Sequence, residues 1–137
     1  MKYKTSELES GLLDAAVAKA NGWPYSVTHY AWPDGTPNVQ VVVEWMPSRT
    51  WAHGGPIIER EHIGILPATK EVKADRNYRR RTGQHFMPEQ DGWVAGYDPI
   101  TYIEFDWGGG FREIGPMPLV AAMRCFLSAK LGAEVDL

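Results

Sequence analysis

The chain has 137 residues, 44% of them hydrophobic, and a formal net charge of −3. These values fit a single globular domain over residues 1–137. Its one cysteine, Cys125, cannot form an internal disulfide, which favours a reducing compartment such as the cytoplasm. The N-terminus lacks the apolar core of a signal peptide and no stretch approaches a membrane span, so a cytosolic protein is expected, with an extracellular protein without disulfides as the alternative.

The first predicted elements are a short strand at Met1–Lys4 and a helix from Glu7 to Ala20. Leucines and alanines recur along this helix at helical spacing. Ser6 and Glu9 have the spacing of a capping box, which predicts the helix start. Asn21-Gly22 predicts its left-handed end.

A hairpin and a short helix follow. Apolar and polar residues alternate over Tyr25–Tyr30 and again over Val39–Trp45, with turn residues at Pro33-Asp34-Gly35 between them. The next predicted elements are a helix from Pro56 to His62 and a strand at Ile63–Leu66.

Residues 67–88 carry a concentrated positive charge and little periodicity. We predict a basic insertion here, helical around Lys70 to Arg80 and partly mobile. Two interpretations stay open, a solvated face and an anion-binding patch. The local charge is +4, from Lys70, Lys73, Arg76, Arg79, Arg80 and Arg81 against Glu71 and Asp75.

Two strands, Trp93–Tyr97 and Ile100–Phe105, are predicted before the last helix. That helix has an apolar stripe from Leu119 to Leu131 and ends at Gly132. The pattern predicts an α+β fold, in which a mainly antiparallel sheet packs between or against the N- and C-terminal helices, with the hairpin and the basic loop as insertions.

Two helix starts carry the main functional prediction. Gly54-Gly55-Pro56 and Gly115-Pro116 each place a proline where a helix is predicted to begin, and neither offers a side-chain cap. The first backbone amides would then be open to an anion. Water could equally satisfy them, since Gly-Pro is an ordinary way to enter a helix. If the two starts converge, they would form an electropositive pocket with Trp51 and His53 as an aromatic wall.

A nucleotide-like ligand fits such a pocket. Trp51 or Tyr78 would stack on its base, and backbone amides and arginines would bind its phosphate. Arg124 has a structural salt bridge as its alternative role. A homo-oligomer is expected, because a small domain encloses a ligand poorly by itself. No cofactor and no metal site are predicted, and the pair His53 and His62 is too loosely spaced to indicate one. The predicted ligand-binding residues are Trp51, His53, Gly54, Gly55, Arg60, Tyr78, Arg79, Arg80, Gly115 and Arg124.

Three segments together resemble a known protein group. Lys4–Ala20, Trp51–Glu61 and Gly115–Leu137 are similar to a family of small, uncharacterised tailed-phage and prophage proteins with the phage ABA-sandwich domain. The resemblance implies a phage origin, a helix–sheet–helix sandwich and a location in the cytoplasm of a bacterial host. It implies no established activity and no catalytic residues.

Binding is a better prediction than catalysis. The sequence contains no GxxxxGK[ST], GxSxG or HExxH motif. Small phage proteins often act on the host, and one class sequesters the cyclic nucleotide signals of bacterial immunity. We therefore predict a non-enzymatic phage accessory protein that sequesters a small anionic, nucleotide-like ligand. The alternatives are a nucleic-acid-binding protein, a partner-binding protein that uses some of its six tryptophans as anchors, and a small nucleotide-processing enzyme.

Overall fold

The computed structural model describes residues 1–67, 92–97 and 112–137. The helix predicted around residues 70–80 and the strand predicted at Ile100–Phe105 lie outside these ranges. In chain order the described elements are β1 (Lys2–Lys4), a 3₁₀ turn (Thr5–Glu7), α1 (Ser10–Asn21), β2 (Tyr25–Ala31), β3 (Pro37–Val43), α2 (Trp51–Glu61), β4 (Gly64–Pro67), β5 (Trp93–Gly96), β6 (Arg112–Gly115), α3 (Pro118–Leu131) and β7 (Glu134–Asp136).

The described strands form three antiparallel groups. β1 pairs with β7, β2 pairs with β3 as a hairpin, and β4, β5 and β6 form a three-stranded sheet in that order. The predicted α+β class with mainly antiparallel strands is confirmed. Strands β6 and β7 were not predicted from the sequence, and β7, with three residues, is too short to show an alternation.

The elements stack in layers around α3. The hairpin packs on α1, α1 packs on α3, and α3 packs on the three-stranded sheet. All residues of α3 from Leu119 to Leu127 are buried, and Met123, Phe126 and Leu127 are completely so. A helix with apolar residues on every side is stable only when neighbours cover every side, and α3 has such neighbours in α1, α2 and the sheet.

The predicted capping box of α1 is wrong. Residues Thr5–Glu7 form a 3₁₀ turn, and α1 begins only at Ser10, with no side-chain cap. Thr5 explains the difference, because it is buried and its hydroxyl donates to the carbonyls of Gly132 at 2.9 Å and Ala133 at 3.1 Å. This attachment to the end of α3 keeps the Ser6 region from starting the helix.

Two predicted turns are confirmed. Gly22 ends α1 in the left-handed conformation with φ 72°, and its N–H donates back into the last turn. In the hairpin, Gly35 has φ 86°, and the Asp34 carboxylate accepts from the N–H of Thr36 at 2.9 Å. The hairpin therefore has the position and turn that its sequence predicts, although β3 ends at Val43, before Trp45.

Candidate functional site

A buried carboxylate fixes the loop that leads into α2. Asp14, on α1, is completely buried. It accepts from the N–H of Ser48 at 2.8 Å and from Arg49, whose Nε lies at 3.0 Å and whose Nη2 lies at 2.9 Å. The sequence analysis missed this anchor. Its signal was a charged residue within the apolar run of α1, since a buried carboxylate needs partners.

An aromatic cluster lies where α1 ends, β3 ends and α2 begins. The rings of Trp23 and Trp45 lie 5.6 Å apart, and Trp45 meets His53 edge-on at 4.8 Å. The His53 Nδ1 accepts from the N–H of Met46 at 3.0 Å, and this hydrogen bond fixes the orientation of the ring. Trp51 stands at the start of α2.

Much of this cluster faces solvent. Trp51 is 57% exposed, Trp45 40% and Met46 37%. Large rings at such exposure, held by an ordered loop, are typical of contact sites in proteins. We call this set the aromatic surface, formed by Trp23, Trp45, Met46, Trp51 and His53.

The predicted open start of α2 at Gly54-Gly55-Pro56 is wrong. The helix begins at Trp51, so both glycines and Pro56 lie inside it. The N–H groups of His53 and Gly54 both donate to the carbonyl of Thr50, at 3.0 and 2.9 Å. The glycine at 54 has a packing reason, because a Cβ there would collide with the Pro47 carbonyl and with Leu119.

The second predicted start is also displaced. Gly115 is the last residue of β6 and is buried, while α3 begins at Pro118. A Cβ on Gly115 would lie 2.5 Å from the backbone nitrogen of Ala121. Gly115 is therefore a close-packing residue and does not cap α3.

The starts of α2 and α3 do converge, as the pocket prediction requires. A Cβ on Gly54 would lie 2.8 Å from Leu119 Cδ2 in the first turn of α3. Gly54 and Leu119 are both buried. The two starts therefore meet in a packed contact at this point.

Arg124 is confirmed in its alternative, structural role. Its guanidinium is buried and donates to the carbonyls of Leu8 and Ile114, each at 2.9 Å, and pairs with Glu9 at 3.4 Å. Burial lowers the pKa of Arg124, and the carboxylates of Glu9 and Glu113 act in the opposite direction. These bonds tie α3 to the segment before α1 and to β6.

Arg60 does not share a site with Trp51. The two residues lie nine positions apart on α2, which is roughly 13–14 Å along the axis. The Arg60 Nη2 donates to Asn21 at 3.0 Å, its Nε lies 3.3 Å from Glu61, and its guanidinium lies over the ring of Phe126. The remaining predicted residues, Tyr78, Arg79 and Arg80, lie outside the described ranges.

A polar cluster at the far end of α2 was also missed. The Glu61 carboxylate accepts from the hydroxyl of Tyr97 at 3.5 Å and lies 3.3 Å from the ammonium of Lys130. Burial, and then the charge of Glu61, raises the pKa of Tyr97 well above its ordinary value. Glu61 therefore connects α2, α3 and the residue that follows β5.

The described residues also show whether the chain has the features of a metal-binding or a membrane-spanning protein. Among residues 1–67, 92–97 and 112–137, no group of three or more potential metal ligands comes together. Within that part of the chain, no helix is long and apolar enough to cross a membrane.

Comparison with known families identifies the origin of the chain. A family model described as Bacteriophage P22, NinX matches residues 4–130. The chain belongs to the bacteriophage P22 NinX family. This membership confirms the predicted phage protein family and makes the chain a phage accessory protein. The NinX match spans the hairpin, the basic stretch, the first two segments that carry the resemblance and the third as far as residue 130. A comparison with curated proteins found no match.

Proposed function

We propose that this phage accessory protein acts in the host cytoplasm by binding a protein partner through the aromatic surface, without catalysing a reaction. The observation that carries the proposal is the exposure of Trp51 and Trp45, at 57% and 40%. Exposed tryptophans on a fixed framework are the residues that most often dominate the binding energy of protein interfaces.

The framework around these rings supports docking. Asp14 holds the loop residues Ser48 and Arg49, and His53 is fixed by the N–H of Met46. Trp45 is held between Trp23 and His53 before a partner arrives, so less conformational entropy is lost on binding. Arg49, the arginine closest to Trp51 in sequence, already pairs with Asp14. This arrangement suits an apolar contact better than a phosphate.

The test compares tryptophans of similar exposure at different places. Wild-type protein, a Trp45→Ala and Trp51→Ala double variant, and a Trp32→Ala control are immobilised and exposed to host lysate. Trp32 is 50% exposed but lies at the hairpin turn. We expect wild type and the control to retain a host protein that the double variant loses. Retention should persist at about 0.5 M salt, because an apolar contact is weakly screened.

Two results of the same experiment would contradict binding through the aromatic surface. If all three proteins retain the same host proteins in equal amounts, the aromatic surface takes no part in partner binding. If retention disappears at high salt for every variant, the contact is electrostatic, and the nucleic-acid alternative gains support.

A second candidate function is sequestration of a small anionic, nucleotide-like ligand, of which a cyclic nucleotide immune signal is one example. A specific observation favours it: among the described residues, none accepts from the N–H groups of Trp51 and Ala52 in the first turn of α2. Two open amides beside an exposed ring offer phosphate and base contacts together.

The ligand candidate has its own experiment. The purified protein is incubated with linear and cyclic nucleotides, washed and denatured, and the released compounds are identified. Intact nucleotide recovered from wild type but not from Trp51→Ala supports sequestration. A converted nucleotide indicates catalysis, and no recovery from wild type leaves the protein partner as the function.

A further inference from the structure

The hairpin has two edges, and its hydrogen-bond register shows which backbone groups point outward. The N–H of Trp32 donates to the carbonyl of Thr36 at 2.8 Å, and the register places these residues opposite each other. In an antiparallel ladder such bonded pairs alternate with non-bonded pairs. The non-bonded residues, whose N–H and C=O point away from the partner strand, are Tyr25, Val27, His29 and Ala31 on β2 and Pro37, Val39, Val41 and Val43 on β3.

The outer edge of β3 is partly blocked. Pro37 has no N–H to offer, and the N–H of Val39 is bonded to the side chain of Asn38 at 2.8 Å. The amide of Asn38 is itself held, because its Nδ2 donates to the hydroxyl of Tyr30 at 2.8 Å. The first half of the β3 edge therefore offers no free outward N–H group to an added strand.

The outer edge of β2 has no such protection. Within the described residues, nothing accepts from the outward N–H groups of Tyr25, Val27, His29 or Ala31. Every residue of β2 except Val27 is exposed. The side chain of His29 bonds Tyr3 at 2.9 Å on the α1 side of the hairpin, which leaves its backbone edge free.

The absence of charged residues from the two hairpin strands also favours pairing at the β2 edge. Strands β2 and β3, YSVTHYA and PNVQVVV, contain no Lys, Arg, Asp or Glu, although 23% of the chain is charged. Natural edge strands are usually protected by charge, proline or bulges, because an open edge pairs with other strands. An uncharged edge meets a copy of itself without repulsion.

We propose that β2 pairs antiparallel with β2 of a second copy, so that the two hairpins form one four-stranded sheet across a two-fold axis at Thr28. This axis overlaps the full length of Tyr25–Ala31 and satisfies the outward groups of both strands. It also extends the two-stranded hairpin into a four-stranded sheet that carries an α1 on each hairpin. The interface uses none of the five residues of the aromatic surface, so variants at Thr28 test it separately from the proposed function.

The test places a charge on the axis. Thr28 is exposed, so Thr28→Lys leaves the monomer fold intact but sets two ammonium groups opposite each other in the dimer. Thr28→Glu does the same with carboxylates. Gln40→Lys is the matched control, because Gln40 is the exposed residue directly opposite Thr28 within the hairpin, one strand away from the interface.

Molar mass is measured by light scattering and sedimentation over a range of concentrations. We expect wild type and Gln40→Lys to give twice the 15.4 kDa chain mass. Each Thr28 variant alone should dimerise at least about tenfold more weakly. An equal mixture of Thr28→Lys and Thr28→Glu should regain dimers.

Three results would each overturn the proposal. One is a wild-type protein that stays monomeric at the highest concentration tested. Another is a dimer that Thr28→Lys does not weaken. The last is a mixture of the two Thr28 variants that fails to associate although circular dichroism shows both to be folded.

Discussion

The two Gly-Pro segments have similar sequences but occupy different places in their helices. Gly54-Gly55-Pro56 lies inside α2, and Gly115-Pro116 lies between β6 and α3. In both, the decisive glycine is one that touches another backbone: Gly54 approaches the Pro47 carbonyl, and Gly115 approaches the backbone of Ala121. The comparison shows that a glycine in a Gly-Pro segment can be required by close packing and need not mark a helix start.

Substitutions of the glycines should have the largest effects on stability, and they test whether close packing explains the two segments. Gly54→Ala and Gly115→Ala should each lower the free energy of unfolding by about 3 kcal/mol, because the added methyl group meets backbone atoms that cannot move aside. Gly55→Ala should change it by less than about 1 kcal/mol, since its Cβ would meet no atom outside its own helix within 4 Å, and the gain of a helical alanine is opposed by the Pro56 ring that follows it. Urea denaturation measures all three. Equal effects at Gly54 and Gly55 would contradict the packing account.

The anchor before α2 provides a second test. Arg49→Met should lower the free energy of unfolding by about 2 kcal/mol, because the buried Asp14 carboxylate loses its cation. Arg60→Met is the control, and its exposed pairing should be worth less than about 1 kcal/mol. Thermal and urea unfolding provide the comparison, and a loss at Arg49 no larger than the loss at Arg60 would show that the stability of the protein does not depend on the Asp14–Arg49 pair.

Replacing each of the two helix prolines by alanine should change the stability of the protein in opposite directions. Pro56 is interior to α2, so Pro56→Ala restores an N–H for the carbonyl of Ala52 and should stabilise the protein by about 1 kcal/mol. Pro118 is at the first position of α3, where its fixed φ is favourable, so Pro118→Ala should destabilise by about 0.5 kcal/mol. Unfolding curves with the same sign for both variants would be inconsistent with the observed helix bounds.

The smallest expected effect is a pH dependence of stability that comes from Glu113, two residues before Gly115. Burial raises the pKa of Glu113, while a 2.6 Å hydrogen bond from Ser128 and the charge of Arg124 oppose the rise. The folded state therefore holds a proton that the unfolded state has already released, and stability falls as pH rises above the ordinary value of 4.5. Glu113→Gln should flatten this dependence in urea midpoints measured between about pH 4 and pH 7. An unchanged slope would exclude Glu113 as its source.

The sequence predicted the elements with long periodic patterns and clear turn residues. The hairpin, the end of α1 at Gly22 and the buried stripe of α3 are examples. Two helix starts were misplaced for different reasons. The start of α1 is decided by a long-range contact, in which Thr5 binds the end of α3, and such a contact leaves no local signal. The start of α2 at Trp51 is local, with the Thr50 carbonyl accepting from the first turn, but Thr50 makes no side-chain cap and the Gly-Pro segment inside the helix suggested a later start.

The candidate site was predicted in part. His53 lies against Trp45, and Trp51 is two residues before His53 on α2. The phosphate-binding role of Gly54 and Gly55 fails, because the Gly54 amide is already bonded and both glycines lie within α2. Arg124 is buried in structural bonds. Trp23 and Trp45 join the surface through the fold alone, since they come from different elements.

The pairing of β1 with β7 has a consequence for when the chain can finish folding during its synthesis. The register joins Lys2 to Asp136, and the N–H of Thr5 donates to the carbonyl of Ala133 at 2.9 Å. A ribosome adds about 5–20 residues per second, so on the order of ten seconds separates the synthesis of these partners. The first strand stays unpaired for that interval, and the arrival of the last one closes the fold.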